Sequence, residues 1–358
     1  MDFSLSEQQS FLQSTVKDFL EADAPLSRVR ELAADGTTLD SSISEGLTGL
    51  GVPGVLVPEE YGGVGLTCLD AALIAECLGG SVTPYSFIGQ CAMVVQALLC
   101  SPDEDLKNTW LPKIANGEAS VAVAVSDHTG KRDSHGITSN DALLNGQTMF
   151  ALDVEGAGHV LVADTEKQLF LANLDDVEII PLKSIDRTRS LAELKFDNVA
   201  ATNLATSRID LSKVIALGRA LLAADTLGAA QTMLDKAVEY AGERKQFNRV
   251  IGSFQAVKHL CAEMAADLEP CRSMVWYAAH SIHAIPEEAI LMTNHAKAHL
   301  GETGRTIARK ATEVHGGMGF TDLLGLHFWF KRIELNRQLL GTPSHIRAEI
   351  AHQQEWVT

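Results

Sequence analysis

Apolar positions recur at three- and four-residue steps over the first third of the chain, at alternate residues through the middle, and at helical steps again almost to the end. Ser6 followed by Gln9 makes a capping-box pattern, and Phe11, Leu12, Val16, Phe19 and Leu20 continue from it as one helical stripe. Ser42 to Leu50, Leu69 to Leu78, Ile88 to Leu99 and Asp103 to Ile114 predict further helices, while GVPGVLVPEEYGGVGL breaks the period as a loop must. Short runs of strand composition follow: Val121 to Val125, Ala142 to Leu152 with Asn145-Gly146 as a turn, His159 to Ala163, Gln168 to Asn173, Val177 to Leu182 and Leu191 to Phe196. They predict a small antiparallel sheet or barrel. Ser212 to Gly242, Phe254 to His280, Pro286 to His315 and Leu326 to Gln338 are long enough to pack as a four-helix bundle. The expected class is α+β, mostly α: a helical domain over 1–119, a β domain over 120–208 and a helical bundle over 209–358.

Composition narrows what such a chain does. Apolar residues make up 46% and charged residues 21% of the 358, the balance of a soluble globular protein. Lys plus Arg is 29 against Asp plus Glu at 46, a net charge of -17, which argues against nucleic acid because phosphate backbones need a basic face. The six cysteines form no CxxC pair and the twelve histidines no ligand spacing, so a reducing cytoplasm and no metal are expected. MDFSLSEQQ has neither a basic region nor a long apolar run, so no signal peptide or membrane span is expected.

One basic turn stands out against this acidic background. Arg244, Lys245 and Arg249 gather beside Phe247, Gly252, Ser253 and Gln255, between two helical segments. A guanidinium forks a pyrophosphate, a ring offers a face to a flat ligand, and an amide serves ribityl or phosphate oxygens. The same residues also fit a solvated turn between helices.

ERKQFNRVIGSFQAVKHLCAEM, VHGGMGF from Val314 to Phe320 and VPEEYGGVGL from Val57 to Leu66 resemble three hallmark stretches of the acyl-CoA dehydrogenases. The resemblance covers nearly the whole chain and matches the domain order. It implies FAD and removal of two hydrogens from the α and β carbons of an acyl-CoA thioester, with a carboxylate taking the α proton and the flavin the β hydride. It also implies a cofactor shared across a subunit interface, with the bundle of one subunit holding the pyrophosphate and adenosine end of its neighbour's FAD. On this resemblance Arg244 is the pyrophosphate arginine, Phe247 a ring contact and Gln255 the nearby glutamine. Gly316, Gly317 and Gly319 form the turn at the adenosine half, Glu313 stands where many members carry Gln, and Thr342 belongs to the cofactor set.

The departures from the family pattern are as informative. The usual base is a Glu before a Gly-Thr pair late in the bundle, and here Leu340 holds that place in LLGTPSHIR. The alternative base precedes an Arg on the first bundle helix, and here Gly218 precedes Arg219. Flavin-facing motifs of the β domain are replaced by AVSDHTGKRDSHG, Ala124 to Gly136, and by MFALD, Met149 to Asp153. Asp225, the one acid in the apolar run from Ala220 to Leu227, is either an atypical base or a paired polar residue inside the bundle. Asp127, Asp133 and His135 read as loop residues. One half-site is kept and the other eroded, which implies a non-catalytic subunit completing the FAD site of a catalytic partner in an α2β2 complex, of the kind that acts on steroid side-chain or other bulky acyl-CoA and passes electrons to an accepting flavoprotein. The alternatives are a self-sufficient dehydrogenase using Asp225 and a flavin-free structural homologue.

Overall fold

The computed structural model describes residues 4–130, 136–205 and 209–356. Six helices open the chain: α1 Glu7–Asp23, α2 Leu26–Asp35, α3 Ser41–Gly49, α4 Cys68–Gly80, α5 Val94–Leu99, preceded by a π turn over Phe87–Met93, and α6 Glu104–Ala115. Ser6 and Gln9 cap α1 reciprocally, as their spacing predicts. Phe11 departs from the expected stripe and is 73% exposed. The helix α2 is not legible as an apolar period, because only Val29, Leu32 and Ala33 of its ten residues are buried.

The middle of the chain forms β1 Val121–Ala124, β2 Gly136–Asn140, β3 Leu143–Leu152, β4 His159–Ala163, β5 Leu169–Asn173, β6 Glu178–Pro181 and β7 Leu191–Asn203. Strands β3, β1, β4, β5 and β7 pair in a closed ring, with β2 and β6 attached at its sides. All pairings are antiparallel except β1 with β4. The hairpin turn falls at Asp141-Ala142, not at Asn145-Gly146, and Gly146 sits inside β3 at a register shift. A Cβ at Gly146 would lie 2.2 Å from the Gly136 carbonyl oxygen, so this glycine permits a close approach of strands rather than a turn.

The bundle comprises α7 Leu211–Glu243, α8 Gln255–Ala284, α9 Pro286–His315 and α10 Leu326–Gln338, followed by a fifth helix, α11 Pro343–Gln353. The sequence pattern ends one helix short because α11 buries only Pro343, Ile346 and Ile350. Helix α7 is apolar on nearly every side, as a helix at the centre of a molecule must be. It crosses α4 at backbone contact, since a Cβ on Gly79 would lie 1.9 Å from the Asp225 carbonyl oxygen and one on Gly228 1.8 Å from that of Glu76.

One side chain joins the three parts. Arg332 of α10 is fully buried; its Nε donates to Asp186 Oδ2 at 2.8 Å, its Nη1 to Asp225 Oδ2 at 3.0 Å, and its Nη2 to the Val82 and Thr83 carbonyls at 3.3 and 3.1 Å. It therefore ties the α4–α5 connection, the β6–β7 connection and α7 to α10. Burial works against its charge, but Asp225 and Asp186 outweigh it and hold the guanidinium pKa above the ordinary arginine value.

Candidate functional site

The predicted cofactor residues fall into two groups. Where α7 ends, Lys245–Gln246 and Arg249–Val250 form a two-stranded hairpin whose turn residues, Phe247 and Asn248, both have positive φ, 51° and 61°. That turn geometry favours Asn or Gly at both positions, and a bulky ring in it is strained. The strained ring is also 87% exposed. Arg244 is exposed with no acceptor among the described residues, and Arg249 stacks over Phe254 with 3.9 Å from guanidinium carbon to ring centroid. Gln255 begins α8, whose N-terminus carries no side-chain cap and so presents open amides beside Arg244.

The end of α9 comes to the same end of the bundle. Tyr240 of α7 stacks on His315 of α9 with centroids 4.5 Å apart. Burial lowers the His315 pKa, and its Nδ1 meets the Ala311 carbonyl oxygen at 2.7 Å. Gly316 has φ 59° and ψ -138°, a backbone only glycine holds without strain, and open space surrounds both it and Gly317. Gly319 differs: a Cβ there would lie 2.6 Å from the Thr312 carbonyl oxygen, so packing within the chain accounts for it. Glu313 is exposed, and Phe320 just beyond is 85% exposed.

Thr342 and Leu340 lie elsewhere. Thr342 caps α11 by accepting from the His345 amide at 3.3 Å, and with Leu340 it lines a cavity of about 700 Å³. Ser126, Thr129, Met149 and Phe150, from the stretches that depart from the family pattern, line the same cavity. Leu340 also accepts from Arg219 Nε at 2.8 Å through its carbonyl. Arg219 on α7 and Arg244 at its C-cap are 25 residues apart, about 38 Å by helical rise. Thr342 and Arg244 therefore lie toward opposite ends of α7.

Gly218 and Leu340, the two places where the resemblance expects a base, converge in space. A Cβ added at Gly218 would lie 2.5 Å from Leu340 Cδ1 and 2.7 Å from Met93 Sδ, so the side chains of Leu340 and Met93 fill the space over Gly218. No proton acceptor stands at either position.

The structure pairs Asp225 inside the protein. It is 2% exposed; Oδ2 accepts from Arg189 Nη2 at 2.8 Å and Arg332 Nη1 at 3.0 Å, and Oδ1 from Asn336 Nδ2 at 2.6 Å. Nearby Asp153 is buried, which raises its pKa against the pull of Arg189, and it accepts from the Gly89 amide at 2.9 Å. Asp127 lies in the turn Ser126–His128, and Asp133 and His135 lie outside the described residues. Arg332 and Asn336, central to this network, carry no sequence signal that separates them from other polar residues of α10.

Profiles of the acyl-CoA dehydrogenase N-terminal and C-terminal domains match residues 6–118 and 210–354. The chain belongs to the acyl-CoA dehydrogenase family. It is 29% identical to the acyl-CoA dehydrogenase IpdE2 of Mycobacterium tuberculosis over 343 residues, 95% of each chain. The ChsE4-ChsE5 complex from Mycobacterium tuberculosis contains a chain of the same fold, with TM-score 0.90, 22% identity and full coverage of both chains. A Tcur3481-Tcur3483 steroid ACAD variant superposes with TM-score 0.88 at 24% identity, covering 99% of each. This member of the family combines an exposed, strained turn at one end of the bundle with side chains of Leu340 and Met93 packed over Gly218.

Proposed function

We propose that this chain is the non-catalytic subunit of a heteromeric acyl-CoA dehydrogenase, completing the FAD site of a catalytic partner in an α2β2 arrangement. The observation that carries the reading is the pairing of an exposed, strained Phe247, beside an Arg244 with no acceptor among the described residues, with a base position filled by Leu340. A bulky side chain held in a left-handed turn and pointed into solvent is costly without a ligand or partner to meet it.

In this reading Arg244 and the open α8 N-terminus take the pyrophosphate of the partner's FAD, Phe247 covers a ring, and Gln255 supplies a directed hydrogen bond. The backbone at Gly316 and Gly317 has the room to approach the adenosine half. FAD supplies the acceptor for the β hydride, and the partner supplies the carboxylate that takes the α proton. A separate accepting flavoprotein would take the electrons. The names of similar proteins, a ChsE4-ChsE5 complex and a steroid ACAD, support a two-chain assembly and a steroid side-chain or similarly bulky acyl-CoA substrate. A self-sufficient enzyme using Asp225 is disfavoured, because two arginines and an asparagine already occupy that carboxylate.

The test is the FAD content per chain, and anaerobic bleaching by acyl-CoA, of this protein alone and after co-expression with a partner dehydrogenase. Flavin and bleaching only in the mixed complex, at one FAD per pair of chains, is the expected result. Full flavin and turnover by this chain alone would sink the proposal.

A further inference from the structure

A second cleft, about 840 Å³, opens between the turn joining α2 to α3 and the connection from β6 to β7. It lies in the volume range of small-molecule sites. Val154, Leu182 and Leu191 give it apolar wall, and its charged side chains are Glu155, Lys183, Asp186, Arg187 and Arg189. The two acids are fully engaged within the protein. Glu155 accepts from Thr37 Oγ1 at 2.7 Å and from the Thr38 amide and Oγ1 at 2.8 and 2.7 Å. Asp186 accepts from Arg332 Nε at 2.8 Å and from the Thr188 amide and Oγ1 at 2.9 and 2.5 Å.

The three cations keep donors to spare. Lys183 has no acceptor among the described residues, and Arg187 has one, the Ala33 carbonyl at 3.4 Å. Arg189, with its side chain 7% exposed, gives Nη2 to Asp225 and has a buried Nε with no acceptor. Burial lowers its pKa against the pull of Asp225, Asp153 and Asp186. On a chain of net charge -17, three cations with spare donors around one cleft are a local exception. A cationic ligand would find no free carboxylate here. An anion finds guanidinium and ammonium donors, the groups that best hold phosphate.

We propose that this cleft binds a phosphorylated small molecule of nucleotide size, its phosphate held by Lys183, Arg187 and Arg189 and its body against Val154, Leu182 and Leu191. It is separate from the surface at Arg244, which lies at the far end of α7 from the β domain's contact with Leu340.

The experiment is calorimetric titration of the purified chain at low salt with ADP, adenosine and inorganic phosphate, on the parent, on Arg244→Ala and on the double variant Lys183→Ala/Arg187→Ala. Both replaced cations of the double variant are exposed, so its thermal melt should match the parent's. The expected result is ADP binding with a Kd below about 1 mM, retained in Arg244→Ala and weakened at least about tenfold in the double variant, with adenosine and inorganic phosphate weaker than ADP. No ADP binding, or binding untouched by the double variant, overturns the proposal. Inorganic phosphate binding as tightly as ADP overturns its nucleotide-size part. Loss of ADP binding in Arg244→Ala alone assigns the nucleotide to the bundle surface instead and leaves this cleft without a ligand.

Discussion

At the scale of single residues, the buried charges decide what each acid and base does. The sequence leaves Asp225 open as an atypical base or a paired polar residue, and its two arginine partners and Asn336 favour the paired reading. Asp225→Asn should lower unfolding free energy by about 3–5 kcal/mol, because it leaves buried guanidinium without its counter-charge, and urea unfolding measures this. A variant as stable as the parent would remove the structural account. Lys297 offers the complementary case. It is 2% exposed, its Nζ donates to the Arg337 and Gly341 carbonyls at 3.3 Å each, and no carboxylate among the described residues pairs with it. Burial first, with Arg219 and Arg337 adding to it, pushes its pKa down to about 7. Between pH 7 and the ordinary lysine range the unfolded chain therefore holds a proton that the native state has released, so this group makes stability rise with pH across that window. Below about pH 7 both states are charged and the full burial penalty stands. Lys297→Met should remove this dependence, so that parent-minus-variant stability climbs by on the order of 2–4 kcal/mol from pH 7 to pH 10. A difference flat with pH would mean that Lys297 stays charged in the native protein.

At the scale of elements, the turn after α7 separates function from stability. Phe247 and Phe320 are 87% and 85% exposed, so replacing either by Ala should change the stability of the isolated chain by no more than about 0.5 kcal/mol. Removing the strained ring of Phe247 should if anything stabilise it. In a complex with a catalytic partner, Arg244→Ala and Phe247→Ala should both release FAD, measured as flavin absorbance after gel filtration. Retention of full flavin by Arg244→Ala would favour a flavin-free structural role. The apolar plug behaves in the opposite way. Gly218→Ala drives a methyl into Leu340 and Met93 and should cost about 1–3 kcal/mol, while leaving flavin content of the complex unchanged.

At the scale of the whole molecule, Arg332 makes three regions one unit. It contacts Asp186 from the β6–β7 connection, Asp225 of α7 and the carbonyls of Val82 and Thr83 at once. Unfolding followed by hydrogen exchange of β-domain amides and of bundle amides should therefore coincide in the parent and separate in Arg332→Leu, where the β domain and bundle lose their shared charge network. Coincident transitions in the variant would show that apolar packing alone couples the domains.

The sequence by itself determined the order of helical, β and helical regions, because the apolar period is a local property that each segment carries with it. It also determined the family and the lack of a proton acceptor at two positions, since leucine and glycine have none wherever they sit. It did not show α2 or α11, whose few buried residues leave too short a period, nor the true hairpin turn at Asp141-Ala142, where two residues with ordinary Cβ atoms take positive φ. Only the tertiary structure brought Gly218 and Leu340 together, split Thr342 from Arg244 along α7 and paired Asp225 with Arg189 and Arg332. Those relations join residues from 36 to more than 120 positions apart, and a contact at that range depends on how whole elements pack and not on any spacing along the chain.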